Sequence, residues 1–143
     1  MVDLLNADGI SDPQTGGGAA WKQIVRKIKE DLCYVALDPE TDKAKAAQSS
    51  ELQKAYELPD GQTINVNTPR FMGPEALFNP ALIKEGDETL GMHDMAYKTV
   101  TECDLDVREE LYGNVIISGG STLYPGLADR LEKELDKLTP RRG

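Results

Sequence analysis

An apolar β-branched run, a pair of glycines and a long amphipathic stretch constrain the C-terminal third of this chain most strongly. The run Val115–Ser118 predicts a short strand buried on both faces, as in a parallel sheet. The glycines of Gly119–Thr122 break that strand. Leucines recurring every four residues or so from Leu127 predict a helix that begins near Pro125 and must stop before Pro140. Strand, short loop and helix in this order indicate an α/β fold.

The loop Gly119–Thr122 is also the strongest candidate for binding chemistry. Two adjacent glycines let the backbone approach a ligand closely. Exposed backbone N–H groups and the start of the following helix favour a negatively charged group. The loop matches neither GxGxxG nor GxxxxGK[ST], so its spacing alone does not specify a nucleotide. A tight turn without a ligand explains the same residues, and both readings stay open at this point.

The rest of the chain predicts mostly helices, together with one β-hairpin and a second short buried strand. Residues 1–20 carry several turn signals and are predicted to be, at least in part, a disordered tail or linker, within which Val2, Leu4 and Leu5 could form a short turn of helix. The predicted elements are a helix from near Ala20 to Leu32 with one apolar stripe, a strand at Tyr34–Leu37, a helix opening at Pro39, a hairpin of Tyr56–Leu58 and Thr63–Val66, helical turns at Pro74–Phe78, a helix at Met92–Val100, and a helix opened by a capping box of Asp106 and Glu109.

Composition disfavours several classes of partner. The formal net charge is −9, which disfavours nucleic acid and anionic membrane surfaces, because binding to them needs basic patches. No apolar run approaches the roughly 18 residues needed to span a bilayer. Two cysteines and one histidine are too few for a structural zinc site within one chain. We therefore predict no nucleic acid, no membrane and no metal ligand, and reduced thiols at Cys33 and Cys103 in a cytosolic protein.

Five runs of the sequence resemble actin in order and in spacing. They are IVRKIKEDLCYVALD (24–38), YELPDGQTI (56–64), RF-x-GPEALFNP (70–80), CDLDVREELY (103–112) and SGGSTLYPGLADRLEKEL (118–135). The resemblance covers most of the chain and implies a partial actin-like fold of the ribonuclease H-like, sugar kinase and heat-shock ATPase class. It implies that residues 21–85 correspond to subdomain 4 and residues 86–143 to part of subdomain 3.

The resemblance assigns three residues of the first long helix to a nucleotide site. Lys29 and Glu30 match a pair that lies beside the adenosine in the family, with the glutamate on the ribose hydroxyls. Arg26 precedes them by one helical turn. A carboxylate is a good acceptor for two vicinal hydroxyls, so the chemistry agrees. From the residues alone, a solvated helix face is the better explanation of Lys29 and Glu30.

The resemblance assigns four further residues around the glycine loop. Gly119 and Gly120 match glycines that pass near the ribose and phosphates in the family. Tyr124 matches a tyrosine against the adenine, and Leu123 stands where the family has a methionine. Aromatic and apolar side chains pack well on a purine. The alternative for Tyr124 is a half-buried residue at the start of the last helix.

The family binds ATP or ADP with Mg²⁺ and hydrolyses ATP, but this chain lacks the motifs that perform that chemistry. No DxGS-like or DxGDG-like hairpin occurs in the sequence, and the lone His93 lies in a different run. Phosphoryl transfer depends on positioning and charge neutralisation. We therefore expect no catalytic residue in this chain, no ATPase activity from the chain alone, and weak or absent nucleotide binding without the missing half of the site.

Two functional readings follow from the resemblance. The first is a fragment of a cytoskeletal, filament-forming ATP-binding protein in the cytoplasm, with actin-like subunits or actin-binding proteins as partners. The alternative is an actin-related protein, cytoplasmic or in the nucleus, that acts as a non-polymerising scaffold subunit of a larger complex. The charged stretch Lys84–Glu88, where actin has a hydrophobic plug, favours the alternative, whereas the close matches in LCYVALD and YELPDGQ favour the first. A third reading is a binding module that has kept the shape without the nucleotide.

The predicted strand at Val115–Ile117 needs neighbouring strands, and the sequence predicts too few to supply them. We therefore expect that the fragment repacks, forms a homodimer or needs a partner.

Overall fold

The computed structural model describes residues 1–11, 18–86 and 88–139. Within these ranges the chain folds into helices around one small antiparallel sheet, with 3₁₀ turns at Pro80–Leu82 and Gly120–Leu123. The helices and strands are α1 (Val2–Ala7), α2 (Ala19–Leu32), α3 (Pro39–Gln48), β1 (Lys54–Glu57), β2 (Thr63–Val66), α4 (Pro69–Glu75), α5 (Met92–Thr101), α6 (Leu105–Gly113) and α7 (Leu127–Leu138). None of the described helices is long and apolar enough to cross a membrane.

The first apolar core forms where α2 meets the hairpin. The stripe predicted from the sequence is confirmed, because Trp21, Val25 and Ile28 of α2 are all buried. They pack with Leu58 and Val66 from the two sides of the hairpin. The opposite face of α2, which carries the charged side chains, is thereby left free for other contacts.

The hairpin forms as its turn residues predict. β1 and β2 pair antiparallel, with Tyr56 opposite Ile64. In the turn, the backbone N–H of Gln62 donates to the carboxylate of Asp60 at 3.0 Å, and Gly61 has a φ of +86°. Asp60 therefore bonds the local backbone and Gly61 supplies the positive φ, as the turn chemistry predicts.

The prediction of a disordered tail is wrong for residues 1–11, whereas the helical turn predicted from Val2, Leu4 and Leu5 is confirmed. Val2–Ala7 form α1, and Leu5 is fully buried in the same core as Trp21. Ile10 is also buried there, and its N–H donates to the carbonyl of Leu5 at 2.8 Å. Apolar contacts with α2 thus order a segment whose turn signals indicated a tail. The rest of the turn signals, at residues 12–17, lie outside the described residues.

The strand predicted at Tyr34–Leu37 is also wrong, although Val35 and Ala36 within it are buried. Residues 33–36 belong to no helix and pair with neither strand of the described sheet. The N–H of Tyr34 donates to the carbonyl of Arg70 at 3.0 Å, and the N–H of Val35 donates to that of Pro125 at 2.8 Å. The backbone is therefore satisfied by α4 on one side and by the turn before α7 on the other. We call residues 33–36 the junction segment.

The prediction of a strand at Val115–Ser118 is wrong as well. The segment belongs to no helix or sheet among the described residues, and the side chain of Ile116 is 90% exposed. An apolar β-branched run is typical of a strand, but a strand forms only beside another strand. Within the described residues none lies alongside it.

Two helix starts differ from the sequence prediction. α4 begins at Pro69 rather than near Pro74, because Pro69 can occupy the first turn of a helix. α6 begins at Leu105 with Asp104 at the N-cap position, so Asp106 lies inside the first turn and the predicted capping box does not form. By contrast, Asp38 caps α3 as its position before Pro39 suggests, accepting the N–H groups of Glu40 and Thr41.

The second apolar core joins α7 to α5 and to the junction segment. Leu127, Leu131 and Leu135 are buried on one face of α7, as their spacing predicts. They pack against Val35 and Phe78. The turn before α7 also lies tightly on the junction segment: Gly126 has a φ of +84°, and a Cβ there would lie 2.4 Å from the carbonyl oxygen of Val35.

A buried arginine on α7 ties these parts together. The guanidinium of Arg130 forms a bidentate ion pair with Glu75 at 2.8 and 3.0 Å. It also donates to the carbonyl of Ala36 at 2.9 Å and to Glu134 at 2.7 Å. Its carbon lies 4.6 Å from the centre of the Phe78 ring. One side chain thus contacts α4, α7 and the junction segment at once.

We expect the replacement Arg130→Met to lower the free energy of unfolding by about 3 to 5 kcal/mol, because it leaves the Glu75 carboxylate buried without a counter-ion. Urea unfolding followed by circular dichroism measures this change. The matched control is Arg26→Met on α2, whose ion pair with Glu30 is exposed and should be worth less than about 1 kcal/mol. Equal effects of the two replacements would contradict a special role for Arg130.

Candidate functional site

Nearly all the residues that the resemblance assigns to a nucleotide face one cleft. The cleft has a volume of about 410 Å³, within the usual range for small-molecule sites. One wall is formed by α2 and the other by the glycine loop. The lining residues are Arg26, Lys29, Glu30, Gly120, Ser121, Leu123 and Tyr124. We call this the α2–loop cleft. Of the predicted residues, Gly119 alone does not line it.

The α2 wall exists because of helical spacing. Arg26, Lys29 and Glu30 lie three and four residues apart, on the side of α2 away from Trp21 and Ile28. The Nε of Arg26 lies 3.1 Å from Oε1 of Glu30, and the two side chains are 69% and 55% exposed. An exposed pair of this kind contributes less than about 1 kcal/mol. A ligand can therefore compete for either partner at little cost.

The shape of the loop wall requires glycine at position 119 but not at position 120. Gly119 has a φ of +102°, a conformation that L side chains rarely adopt, so the turn requires glycine there. Its carbonyl accepts the N–H of Thr122 at 3.0 Å and the hydroxyl at 2.6 Å, which fixes the 3₁₀ turn. A Cβ on Gly120 would meet nothing within 4 Å. Glycine at 120 is therefore not required by the packing of these residues, and the space beside it is open to a ligand.

Tyr124 supplies a half-buried ring at the end of the loop. Burial raises the pKa of Tyr124 to about 12, and the nearby Cys33 and Glu30 add to the shift. The phenol is therefore neutral at physiological pH. Its ring, together with Leu123, which is 81% exposed, offers an aromatic and apolar surface of the kind that packs on a base.

The two walls are held in register by the junction segment. It follows α2 directly through Cys33, and its Val35 is hydrogen-bonded to Pro125, the residue after Tyr124. The carbonyl of Tyr124 in turn accepts the N–H of Leu127 at the start of α7. The spacing between α2 and the glycine loop is thus set by buried backbone contacts.

Ser121 is a cleft residue that the sequence analysis did not single out. It lies within the same loop, and the family resemblance drew attention only to the flanking glycines and to Tyr124. Its side chain is exposed and lines the cleft beside Gly120. A hydroxyl can both donate and accept, so Ser121 adds a polar contact to the loop wall.

His93 and Cys33 carry reactive groups, but neither lines the cleft. His93 lies against Phe78, with ring centres 5.6 Å apart, and its Nε2 is 3.5 Å from Asp94. Burial raises the pKa of Cys33 to about 12, so this thiol is not a nucleophile at neutral pH. Among residues 1–11, 18–86 and 88–139, no cluster of three or more histidine, cysteine or acidic side chains could hold a metal ion.

The residues present offer contacts for the sugar and the base of a nucleotide. The cleft offers a carboxylate for hydroxyl groups, a ring for a base, and two cations beside them. Its lining contains a single carboxylate, Glu30, and no histidine or cysteine. This set can bind and orient a ligand, but it does not contain a nucleophile paired with a base.

Comparison with known proteins supports the resemblance found in the sequence. The sequence model of the family named Actin matches residues 18–142. The chain is 44% identical over 138 residues to actin-related protein 2 of Saccharomyces cerevisiae, covering 96% of this chain and 34% of that protein. It is 46% identical over 136 residues to actin-related protein 2 of Oryza sativa subsp. indica, covering 94% of this chain and 33% of that protein.

The chain therefore spans about a third of the length of these curated relatives. The family model covers well over half of the chain, and the helices and single hairpin agree with a partial actin-like fold. On these grounds the chain belongs to the actin family.

Proposed function

We propose that this chain carries the adenosine side of an ATP or ADP site in an actin-like protein. The observation that carries the proposal is the α2–loop cleft, in which two segments separated by some ninety residues bring a carboxylate, two cations and a ring to one place. Belonging to the actin family agrees with this assignment but does not test it.

Each wall has a distinct task in the proposed complex. Glu30 accepts hydrogen bonds from the ribose hydroxyls, while Arg26 contacts the same carboxylate from one helical turn away. Lys29 lies beside the sugar on the same wall. Tyr124 and Leu123 pack on the adenine, while Gly120 and Ser121 let the loop backbone come close to the sugar. Bound ATP would supply the transferable phosphoryl group.

The chain alone is proposed to bind without catalysing hydrolysis. Catalysis of phosphoryl transfer requires groups that neutralise the phosphates and position the attacking water. The sequence contains no aspartate-bearing glycine hairpin of the kind that holds Mg²⁺ and phosphates in the family. Mg²⁺ and the phosphates would therefore be held by parts of an actin fold that these residues do not include.

Of the two whole-protein readings, we propose that the actin-related scaffold is favoured over the filament-forming protein. Lys84 and Glu85 are exposed just after the 3₁₀ turn at Pro80–Leu82, in the stretch where actin has a hydrophobic plug. Both relatives reported above carry the name actin-related protein. Proposed partners are accordingly actin-like subunits or actin-binding proteins in a cytoskeletal complex of the cytoplasm.

We expect ADP to bind this chain with a Kd on the order of 1 mM, because only one side of the site is present. Glu30→Ala should weaken binding about tenfold by removing a charged acceptor for the ribose hydroxyls. Amide shifts in a nuclear magnetic resonance titration measure both values, with light scattering to report the mass of the species. The matched control is Asp31→Ala, which removes the neighbouring exposed carboxylate outside the cleft.

Shifts confined to residues outside the two walls would contradict the proposal and favour a binding module without a nucleotide. Micromolar binding that Glu30→Ala abolishes would support the site. It would, however, show that the half-site is better organised than its lining indicates, for example through a homodimer.

The scaffold reading predicts that the charged stretch blocks filament contacts. An actin whose hydrophobic plug is replaced by residues 80–91 of this chain should fail to assemble, because burying its charges between strands is costly. Sedimentation in Mg-ATP measures the assembled fraction. The control graft carries alanine at Lys84, Glu85, Asp87 and Glu88. If the charged graft assembles as readily as the alanine graft, the result would favour a filament-forming protein over a scaffold subunit.

A further inference from the structure

Helix α3 lies on the outside of the fold and contributes little to either apolar core. None of its 10 residues is buried. Its inward positions, which are half-buried, are Pro39, Asp42 and Ala46, spaced three and four residues apart. A proline, an aspartate and an alanine offer little apolar surface, so the hydrophobic effect contributes little to the docking of α3.

Two side-chain hydrogen bonds join residues 38–51 to the rest of the described chain. The hydroxyl of Tyr34 donates to Oδ2 of Asp42 at 2.8 Å, and the side-chain amide of Asn67 donates to the carbonyl of Ala46 at 3.2 Å. Burial, followed by the bond to Asp42, raises the pKa of the Tyr34 phenol. The hydroxyl is therefore a neutral donor at physiological pH, and its bond to Asp42 is one of the few contacts that hold α3 in place.

Buried arginines fix the chain on both sides of residues 38–51. Before this stretch, Arg130 donates to the carbonyl of Ala36 at 2.9 Å. After it, Arg70 donates to the carbonyl of Leu52. Arg70 and Arg130 are only 8% and 5% exposed, so both attachment points are buried. The stretch between them is lightly held, whereas its two ends are held firmly.

The lightly held stretch lies against an aromatic pair. The rings of Tyr34 and Phe71 have centres 6.0 Å apart, and the guanidinium carbon of Arg70 lies 5.0 Å from the centre of the Tyr34 ring. Phe71 is fully buried, and Ala46 packs against the cluster that contains it. Because the Tyr34 hydroxyl is bonded to Asp42, moving α3 away would free that hydroxyl for another acceptor.

We propose that residues 38–51 form a strap that opens and closes over Tyr34 as a unit, while Arg70 and Arg130 keep its ends fixed. When closed, the strap withholds the Tyr34 hydroxyl from any acceptor other than Asp42. When open, it presents that hydroxyl and its ring to an acceptor on a partner. A detached helix of 10 residues is marginal in water, so α3 loses its helical hydrogen bonds on opening. The proposal does not depend on the nucleotide site.

Native-state hydrogen exchange, measured residue by residue on this chain, tests the strap. We expect the helical amides of residues 42–49 to exchange at least about tenfold faster than the core amides of Val25 and Leu131, because the strap opens without global unfolding. Low concentrations of urea should accelerate residues 42–49 less than the core amides, because opening the strap exposes little surface.

Two variants separate strap opening from global unfolding. Ile28→Val, in the first apolar core, should speed exchange of the core amides about fivefold and leave residues 42–49 unchanged, because that core stays packed while the strap is open. Tyr34→Phe should speed exchange of residues 42–49 about tenfold, because it removes the bond to Asp42. The matched control is Tyr56→Phe, which removes a phenol hydroxyl on β1 and should leave residues 42–49 unchanged.

Three results would overturn the proposal. The first is exchange of residues 42–49 at the rate of the core amides, which would show that the strap opens only with the whole fold. The second is equal acceleration of residues 42–49 by Ile28→Val and by Tyr34→Phe. The third is equal effects of Tyr34→Phe and Tyr56→Phe on residues 42–49, which would show that the bond to Asp42 does not hold the strap closed.

Discussion

The buried guanidinium of Arg130 is the contact on which the packing of α4, α7 and the junction segment depends. It bonds Glu75 of α4, Glu134 of α7 and the carbonyl of Ala36 in the junction segment, at distances of 2.7 to 3.0 Å. Removing both charges from water is costly, and the geometry offsets that cost only while every bond is made. A chain with little sheet thus gains a well-defined arrangement of α4, α7 and the junction segment.

The same arrangement positions the α2–loop cleft. The junction segment follows α2 directly, and its Val35 is bonded to Pro125 and pressed against Gly126. The loop that carries Tyr124 therefore cannot move relative to Glu30 without disturbing buried contacts. This gives the proposed half-site a defined spacing, although one whole side of a nucleotide site is absent. Segment 115–118 precedes that loop and does not line the cleft.

The sequence predicts the helices and the turn, which depend on local spacing. It does not predict strand pairing or the buried ion pair, which depend on residues far away in the chain. The stripe of α2, the leucines of α7 and the turn at Asp60 and Gly61 are local signals, and each is confirmed. The two predicted strands failed because pairing is a property of the neighbour, not of the run itself. Arg130 was missed because an arginine on an amphipathic helix usually lies in water, and its partner Glu75 is 55 residues away. The cleft residues were located through the family resemblance, since a Lys-Glu pair on a helix carries no such signal by itself.

The most direct test of this account is hydrogen exchange at the amide of Val35, measured residue by residue in the folded chain. This N–H donates a buried hydrogen bond to the carbonyl of Pro125, where α2, the glycine loop and α7 meet. We predict that the Val35 amide exchanges only through global unfolding, far more slowly than the unbonded amides of residues 115–118. Exchange at Val35 as fast as at residues 115–118 would show that the junction opens locally, and would contradict the claim that it holds the two walls together.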